Sequence, residues 1–257
     1  MRLSRFVINA FLLLPASSYA LYVGCPALPE MPETGFFIPK DSAVALKIGY
    51  EGDYLLGRTL DISSPGSNPG MNGMLNGAVL TLDFINRIEV YTLLGASETK
   101  VSFNTQGPTV KLKTAQNFGG EVGIRANTPI WGELKFGVDA KYLYVWPTLS
   151  QVKVGGESLS SSGRVFQKEW QIAGAVSQTF AFVTPYVGVK FSKFSMEFID
   201  VTSLNPWIAS NRIDINNKGP FGIFLGLGFA TQKGFYADIE GRFIDECALT
   251  GALGMSF

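Results

Sequence analysis

The sequence predicts an all-β chain that forms a transmembrane antiparallel β-barrel of about ten strands. Three observations support this prediction: an export signal at the start, repeated alternation of apolar and polar residues, and an alternating strand at the end of the chain. The composition agrees, because 16% charged residues, 13% aromatic residues and 29 glycines suit strands and tight turns better than helices. We therefore expect one domain without long helices.

The first twenty residues have the features of a secretory signal peptide. Arg2 and Arg5 provide a charged start, an apolar stretch runs from Phe6 to Pro15, and Ser18-Tyr19-Ala20 has the pattern of a cleavage site. A short membrane helix is the alternative, but Asn9 interrupts an apolar stretch that is already brief. Cleavage near Ala20 leaves 19 basic and 21 acidic residues, a net charge of −2 that gives no electrostatic support for nucleic-acid binding.

The strand pattern is plainest from Leu134 to Trp146, where every second residue is apolar. It recurs in residues 78–84, 221–229 and 235–243, with shorter versions elsewhere. A soluble β-sandwich has the same alternation, so this pattern alone does not identify a membrane barrel.

Loop lengths and strand ends favour the barrel. Long segments rich in Gly, Ser, Asn and Pro fall between pairs of strands that are joined by few residues, as in outer-membrane barrels with short periplasmic turns and long external loops. Aromatic residues that can mark the membrane interface lie near predicted strand ends: Trp131, Tyr144, Trp146, Trp170 and Tyr186. An ordinary core aromatic is the alternative for each of them.

The loop rule gives ten strands, with a range of eight to twelve. They are 42–62, 78–86, 87–95, 118–128, 131–146, 169–180, 183–194, 219–230, 234–243 and 247–257. The first is long enough to contain a bulge near Glu51-Gly52-Asp53 or a second strand. Residues 21–41 are then a periplasmic N-terminal segment, residues 42–257 form the barrel, and we expect the cell outer membrane as the location.

The predicted strands carry charged residues on one face, which must point into the lumen because a charge facing lipid costs ~2–4 kcal/mol near the midplane. These residues are Lys47, Arg87, Glu89, Arg125, Lys135, Asp139, Lys141, Lys190, Asp238, Glu240 and Arg242. Seven are basic and four acidic, which indicates a hydrated channel with a weak preference for anions. The alternative is that opposite charges pair and fill the interior, because about ten strands lie between a filled barrel and an open porin.

Catalysis is not expected. The chain has no histidine, which excludes a Ser-His-Asp catalytic site. It also argues against an ordinary zinc site, because histidine is a common zinc ligand. Asp238 and Glu240 lie two residues apart on one strand face and are interpreted as lumen groups, and Asp245-Glu246 as part of a tight turn. No metal or other cofactor is predicted.

The two cysteines are predicted to lie on opposite sides of the membrane. Cys25 falls in the segment assigned to the periplasm, and Cys247 near the outer end of the last strand. We therefore expect them not to pair with each other. Residues 22–25 partly resemble a lipoprotein attachment site, but Tyr22 does not suit that signal.

Several segments resemble the chlamydial major outer-membrane protein porins, in the same order along the chain. They are LYVGCPALPE (21–30), ALKIGYEGDYLLGRTL (45–60), INRIEVYTLLGAS (85–97), EWQIAGAVSQTFAFVTPYVGVKFSKFS (169–195), DVTSLNPWIA (200–209) and GRFIDECALTGALGMSF (241–257). The chain departs from the family's pattern by being much shorter, mainly in external loops, and by lacking most of its cysteines.

This resemblance implies a pore-forming outer-membrane protein that can assemble as a homotrimer, admits small solutes and contributes to envelope structure. It also implies intermolecular disulfides through Cys25 or Cys247, but two cysteines are too few for the extensive crosslinking of the family. A closed barrel with a structural or anchoring role and no transport is the alternative. Expected partners are outer-membrane lipid and the outer-membrane assembly machinery.

The last strand generates a prediction about assembly. Leu253, Met255 and Phe257 share one face, and a terminal Phe on such a strand resembles the signal that the assembly machinery reads. Deletion of Phe257 should lower the amount of inserted, heat-modifiable barrel in the envelope. Normal insertion of the truncated chain would contradict this interpretation.

Overall fold

The computed structural model describes residues 21–27, 43–63, 67–105, 107–160, 163–204, 207–208, 212–231 and 234–257. The predicted signal peptide lies outside the described residues. Strands, numbered in chain order, are β1 (Val44–Ile62), β2 (Ser67–Phe84), β3 (Ile88–Asn104), β4 (Thr109–Thr114), β5 (Asn117–Trp131), β6 (Leu134–Val145), β7 (Leu149–Val154), β8 (Glu157–Leu159), β9 (Arg164–Gln178), β10 (Val183–Ile199), β11 (Arg212–Asn217), β12 (Phe221–Ala230), β13 (Phe235–Phe243) and β14 (Glu246–Ser256). A 3-10 turn spans Thr202–Leu204.

Ten of these strands form a closed antiparallel ring. The order is β1, β2, β3, β5, β6, β9, β10, β12, β13 and β14, and β14 pairs back with β1. The last bond of this seam joins the Phe257 amide to the Leu46 carbonyl, 2.7 Å away. Closure satisfies the backbone groups that an open sheet leaves at its edges. The predicted number of ten strands is confirmed.

The two ends of the barrel differ. At the turn end, short connections such as residues 85–87 and 132–133 join neighbouring strands, and β1 begins beside the end of β14. Ile85 and Asn86 adopt left-handed backbone conformations there, as a tight turn requires. At the opposite, loop end, β4, β7, β8 and β11 extend the wall. The predicted asymmetry of short turns and long connections is confirmed.

Several strands extend further than their pattern predicts. β2 begins at Ser67 rather than residue 78, and β3 continues to Asn104 rather than ending at residue 95. In β3 the outward residues change from apolar, as at Leu94, to charged, as at Lys100, while the inward residues change to Val101 and Phe103. The side chains keep alternating, but their polarity reverses, so the pattern gives no single apolar face over the full strand.

The first strand is one continuous strand with its irregularity in an unexpected place. Glu51, Gly52 and Asp53 pair in regular register with both β2 and β14. The register shift follows Leu55, so the first strand does contain a bulge, but the bulge lies beyond the predicted position at Glu51-Gly52-Asp53. The alternation before and after a bulge differs by one residue, which lets both Asp53 and Arg58 point inward.

The outer surface at the level of the ten-strand ring is apolar. Val189 (62% exposed), Val122 (59%), Leu225 (53%) and Ile239 (51%) all point outward. Trp131 and Trp146 are also exposed, at opposite ends of β5 and β6. Tyr186 points into the lumen, so its interpretation as an interface aromatic is wrong. Among the described residues, no helix is long and apolar enough to cross a membrane.

Glycines make room for tyrosines inside the ring. Tyr186 pairs with Gly226 across β10 and β12, and a Cβ atom at Gly226 would lie 2.3 Å from the Cζ atom of Tyr186. Tyr91 and Gly123 have the same relationship across β3 and β5. The ring can hold large lumen side chains only because these facing positions have no side chain.

This packing generates a prediction about stability. Gly226→Ala should lower the free energy of unfolding by about 1–3 kcal/mol, because Tyr186 must move in a filled interior. Gly57→Ala is the control, since no atom lies within 4 Å of a Cβ atom there. Urea unfolding in detergent measures both, and equal stability of the two variants would contradict the packing argument.

Candidate functional site in the barrel lumen

The structure brings most of the predicted lumen residues together inside the barrel. Ten of the eleven are buried, and they lie on the inward faces of their strands. Arg87 is the exception, since it is exposed in the turn between β2 and β3. The backbone leaves the strand at this turn, so the alternation no longer determines where Arg87 points.

Eight further buried charges were missed by the sequence pattern. They are Glu51, Asp53, Arg58, Asp83, Glu121, Glu169, Asp245 and Glu246. The sequence pattern assigns Glu51 and Asp53 to a bulge and Asp245-Glu246 to a turn. Asp83 could have been found, because it shares the polar face of its predicted strand with Thr81. The described interior then has seven basic and eleven acidic residues. The excess of basic residues that suggested a preference for anions is therefore not present, because the missed groups are almost all acidic.

A first network of charges lies toward the turn end. Lys47 Nζ is 2.8 Å from Asp83 and 2.6 Å from Glu89, and Arg125 is 3.2 Å from the other Glu89 oxygen. Arg125 Nε also lies 3.4 Å from Asp139. We call this set the turn-end network. Opposite charges on neighbouring strands thus neutralise each other within the barrel.

A second network lies toward the loop end. Arg58 binds Glu169 at 2.8 Å and also contacts Glu246, while Lys190 is 2.9 Å from Asp245. Arg242 contacts Asp53 and lies 3.2 Å from Glu240 and 3.1 Å from Glu246. We call this set the loop-end network. Removing one member would leave a buried partner uncompensated, which costs about 3–5 kcal/mol.

The N-terminal segment, residues 21–27, occupies the space between the barrel walls. Glu240 accepts hydrogen bonds from the Val23 and Gly24 amides, both at 3.0 Å. Lys141 donates to the Tyr22 carbonyl, and Asn127 donates to the Pro26 carbonyl at 3.1 Å. The sequence placed residues 21–41 in the periplasm and gave no indication that the first seven enter the lumen. Residues 28–42 lie outside the described residues.

An apolar cluster fills the loop end. Its buried members come from the ends of the ring strands and from the elements that extend the wall, and we call it the outer apolar cluster. It comprises Leu55, Leu60, Met71, Val101, Phe103, Val110, Leu112, Leu149, Val152, Val154, Val165, Phe194, Met196, Phe198, Val201, Leu204, Ile208, Ile213, Ile215 and Ala248. Arg58 lies 4.8 Å from the centre of the Phe194 ring, where the loop-end network meets this cluster. The loop end therefore resembles the core of a soluble domain.

Small cavities remain beside the N-terminal segment. One of about 30 Å³ is lined by Tyr22, Glu51, Glu89 and Arg125, among others, and one of about 10 Å³ by Val23 and Asp139. Cavities of this size hold a few water molecules at most. Across the described residues the lumen is thus filled by the two charge networks, the N-terminal segment and the outer apolar cluster.

The described residues hold no group of three or more His, Cys, Asp or Glu side chains that could bind a metal ion. Cys25 is fully buried in the lumen, whereas Cys247 is exposed on the outside of β14. Both thiols are free. Leu253 points outward near the end of β14, and Met255 and Phe257 are half-buried beside it.

These features define a closed ten-strand β-barrel with an apolar exterior and a filled, charged interior. Neither a protein-family model nor a curated protein matches the sequence.

Solved barrels resemble the chain at low similarity. They include the outer membrane protein OprG from Pseudomonas aeruginosa (9% identity, TM-score 0.40, covering 84% of this chain and 96% of that chain). They also include the beta domain of the Bordetella autotransporter BrkA (10%, 0.43, 83% and 99%) and the transport unit of the autotransporter AIDA-I from Escherichia coli (10%, 0.40, 90% and 96%). Similarity this low carries no information about activity.

The lumen contacts generate a prediction about thiol reactivity. In a folded Cys247→Ser barrel, a maleimide should label buried Cys25 very slowly. Glu240→Ala should raise this rate at least about tenfold, because two hydrogen bonds from Val23 and Gly24 to a carboxylate are lost.

Glu169→Ala is the matched control. Glu169 is equally buried but contacts Arg58 rather than the N-terminal segment. This substitution destabilises the barrel in a comparable way but should raise the labelling rate of Cys25 much less than Glu240→Ala does, since the Glu240 hydrogen bonds to the segment remain. Equal acceleration in both variants would contradict a specific role of Glu240 in holding the segment.

Proposed function

We propose that this chain is an outer-membrane β-barrel protein that is closed across its lumen and has a structural role in the envelope. The single observation that carries this proposal is the filled interior within an apolar exterior. Charge pairs, the N-terminal segment and the outer apolar cluster occupy successive levels of the same lumen.

The exterior supports the membrane location. Soluble proteins rarely expose a contiguous apolar patch of more than a few hundred Å². Here the outward residues of three consecutive strands, β12 to β14, include no charged residue between Phe221 and Met255. In lipid, such a surface is favourable, and a closed ring leaves no strand edge exposed. The predicted export signal agrees with this location.

Diffusion of small solutes, which the porin resemblance implies, remains a prediction. A porin of sixteen strands leaves an aqueous channel, whereas the interior of a ring of about eight strands is filled by side chains. The ten-strand ring belongs with the filled barrels, because Arg58, Lys190 and Arg242 are paired with acidic groups instead of lining open water. The predicted family, trimer and intermolecular disulfides also remain proposals, and only Cys247 is accessible for such a bond.

Planar bilayer recording tests the proposal. The mature chain, refolded in detergent and shown by heat-modifiable migration to be folded, should give no stepwise conductance, because the lumen is filled at three levels. Regular conductance steps from the folded protein would contradict a closed barrel and favour the porin.

A variant that lacks residues 21–27 identifies the level that closes the barrel. It should remain silent, because the outer apolar cluster, with Phe103 and Phe198, is unaffected by the deletion. Conductance in this variant alone would show that the N-terminal segment, and not the outer apolar cluster, is the barrier.

A further inference from the structure

The N-terminal segment has a defined direction inside the barrel. Pro26 contacts Asn127, close to the turn end, whereas Tyr22 contacts Lys141, further along the neighbouring strand. Leu21 is therefore the deepest described residue of the segment. Its side chain is fully buried in an apolar cluster with Leu75, Leu93, Leu143 and Val145.

The strand register places an acidic residue at the same depth as Leu21. Leu93 of β3 and Leu143 of β6 are the direct partners of Glu121 on the intervening strand β5. All three side chains are buried on the inward face. The carboxylate of Glu121 therefore lies between two of the leucines that pack with Leu21.

A second carboxylate accompanies it. Glu51 interacts electrostatically with both Glu121 and Tyr22, and it lines the same small cavity as Tyr22. Its Oε1 atom has no hydrogen-bond partner among the described residues. Glu51 is 5% exposed, so bulk water does not reach it, and the small cavity beside Tyr22 has room for a few water molecules at most.

One cation serves several of the acidic groups nearby. Lys141 Nζ forms an ion pair with Glu121, at 3.1 Å from its Oε1 atom. Lys141 is shared with Asp139, 3.7 Å away, and with the Tyr22 carbonyl. The described interior as a whole has eleven acidic and seven basic residues, so one more buried cation would improve its charge balance.

We propose that the α-ammonium group created at Leu21 by signal-peptide cleavage is an additional counter-ion of Glu51 and Glu121, beside the shared Lys141. In the precursor, the Leu21 nitrogen is a neutral amide. Hydrolysis consumes one water molecule and breaks the Ala20–Leu21 bond, which leaves a carboxylate on Ala20 and a protonated ammonium group on Leu21. Maturation of the chain thus completes the filling of the lumen. This inference rests on the closed lumen proposed above and on cleavage after Ala20.

A double-mutant cycle tests the pairing. The chain 21–257 is produced from a fusion whose removal leaves Leu21 as the first residue, with and without Nα-acetylation. Acetylation removes the charge, and it should accelerate thermal unfolding in detergent at least about tenfold. The unfolding rate is measured from the loss of the gel band of the folded barrel. In a Glu51→Gln/Glu121→Gln chain the same acetylation should change the rate less than about twofold.

Glu89→Gln is the matched control. Glu89 is as buried as Glu121 but already pairs with Lys47 and Arg125, so acetylation should retain its full effect in this variant. An equal effect in the double variant, or none in the unsubstituted chain, would overturn the inference. If the double variant does not refold, each single variant should reduce the effect in part, and no reduction in either overturns it. Conductance is recorded separately on the same chains, so a failure of the closed-lumen proposal is distinguished from a failure of the pairing at Leu21.

Discussion

Neutralisation of charge within a narrow ring is the constraint on which the rest of this structure depends. A ten-strand barrel has too little room for water to solvate eighteen buried charged side chains. Each group must find a partner on another strand, as Arg58 does with Glu169 and Lys47 with Asp83. The Lys47–Asp83 pair joins consecutive strands, whereas Arg58–Glu169 joins β1 to β9, so the pairs connect near and distant parts of the ring at the same time as they fill it.

The barrel combines two kinds of core in one continuous wall. In the turn-end half, polar groups point inward and apolar groups outward, which is the arrangement that the proposed membrane location requires. In the loop-end part the relationship is reversed: Phe103 and Val110 point inward, while Lys100 and Lys113 lie on the outside beside Glu98. The side chains follow the solvent on each side of the wall, although the backbone pairing continues without interruption.

The sequence was sufficient for the strand number, the closure and ten lumen residues, because each depends on an alternation that persists along one strand. It was insufficient where another rule replaced that alternation. The bulge after Leu55 changes the inward phase of β1, and Asp245 points inward from a turn. Residues 21–27 show no alternating pattern. Their position depends on hydrogen bonds to Glu240 and other residues distant in sequence, which a local pattern does not reveal.

The reversal of polarity along β3 also indicates which part of the strand would extend beyond the membrane. This strand has 17 residues, and at ~3.4 Å per residue it is far longer than the ~10 residues that cross a bilayer. Its last residues, paired with β4, would project beyond the headgroups as rigid sheet supported from within. On the proposed membrane location, a macromolecule that binds at this end would meet a surface of fixed shape, assembled from side chains on neighbouring strands.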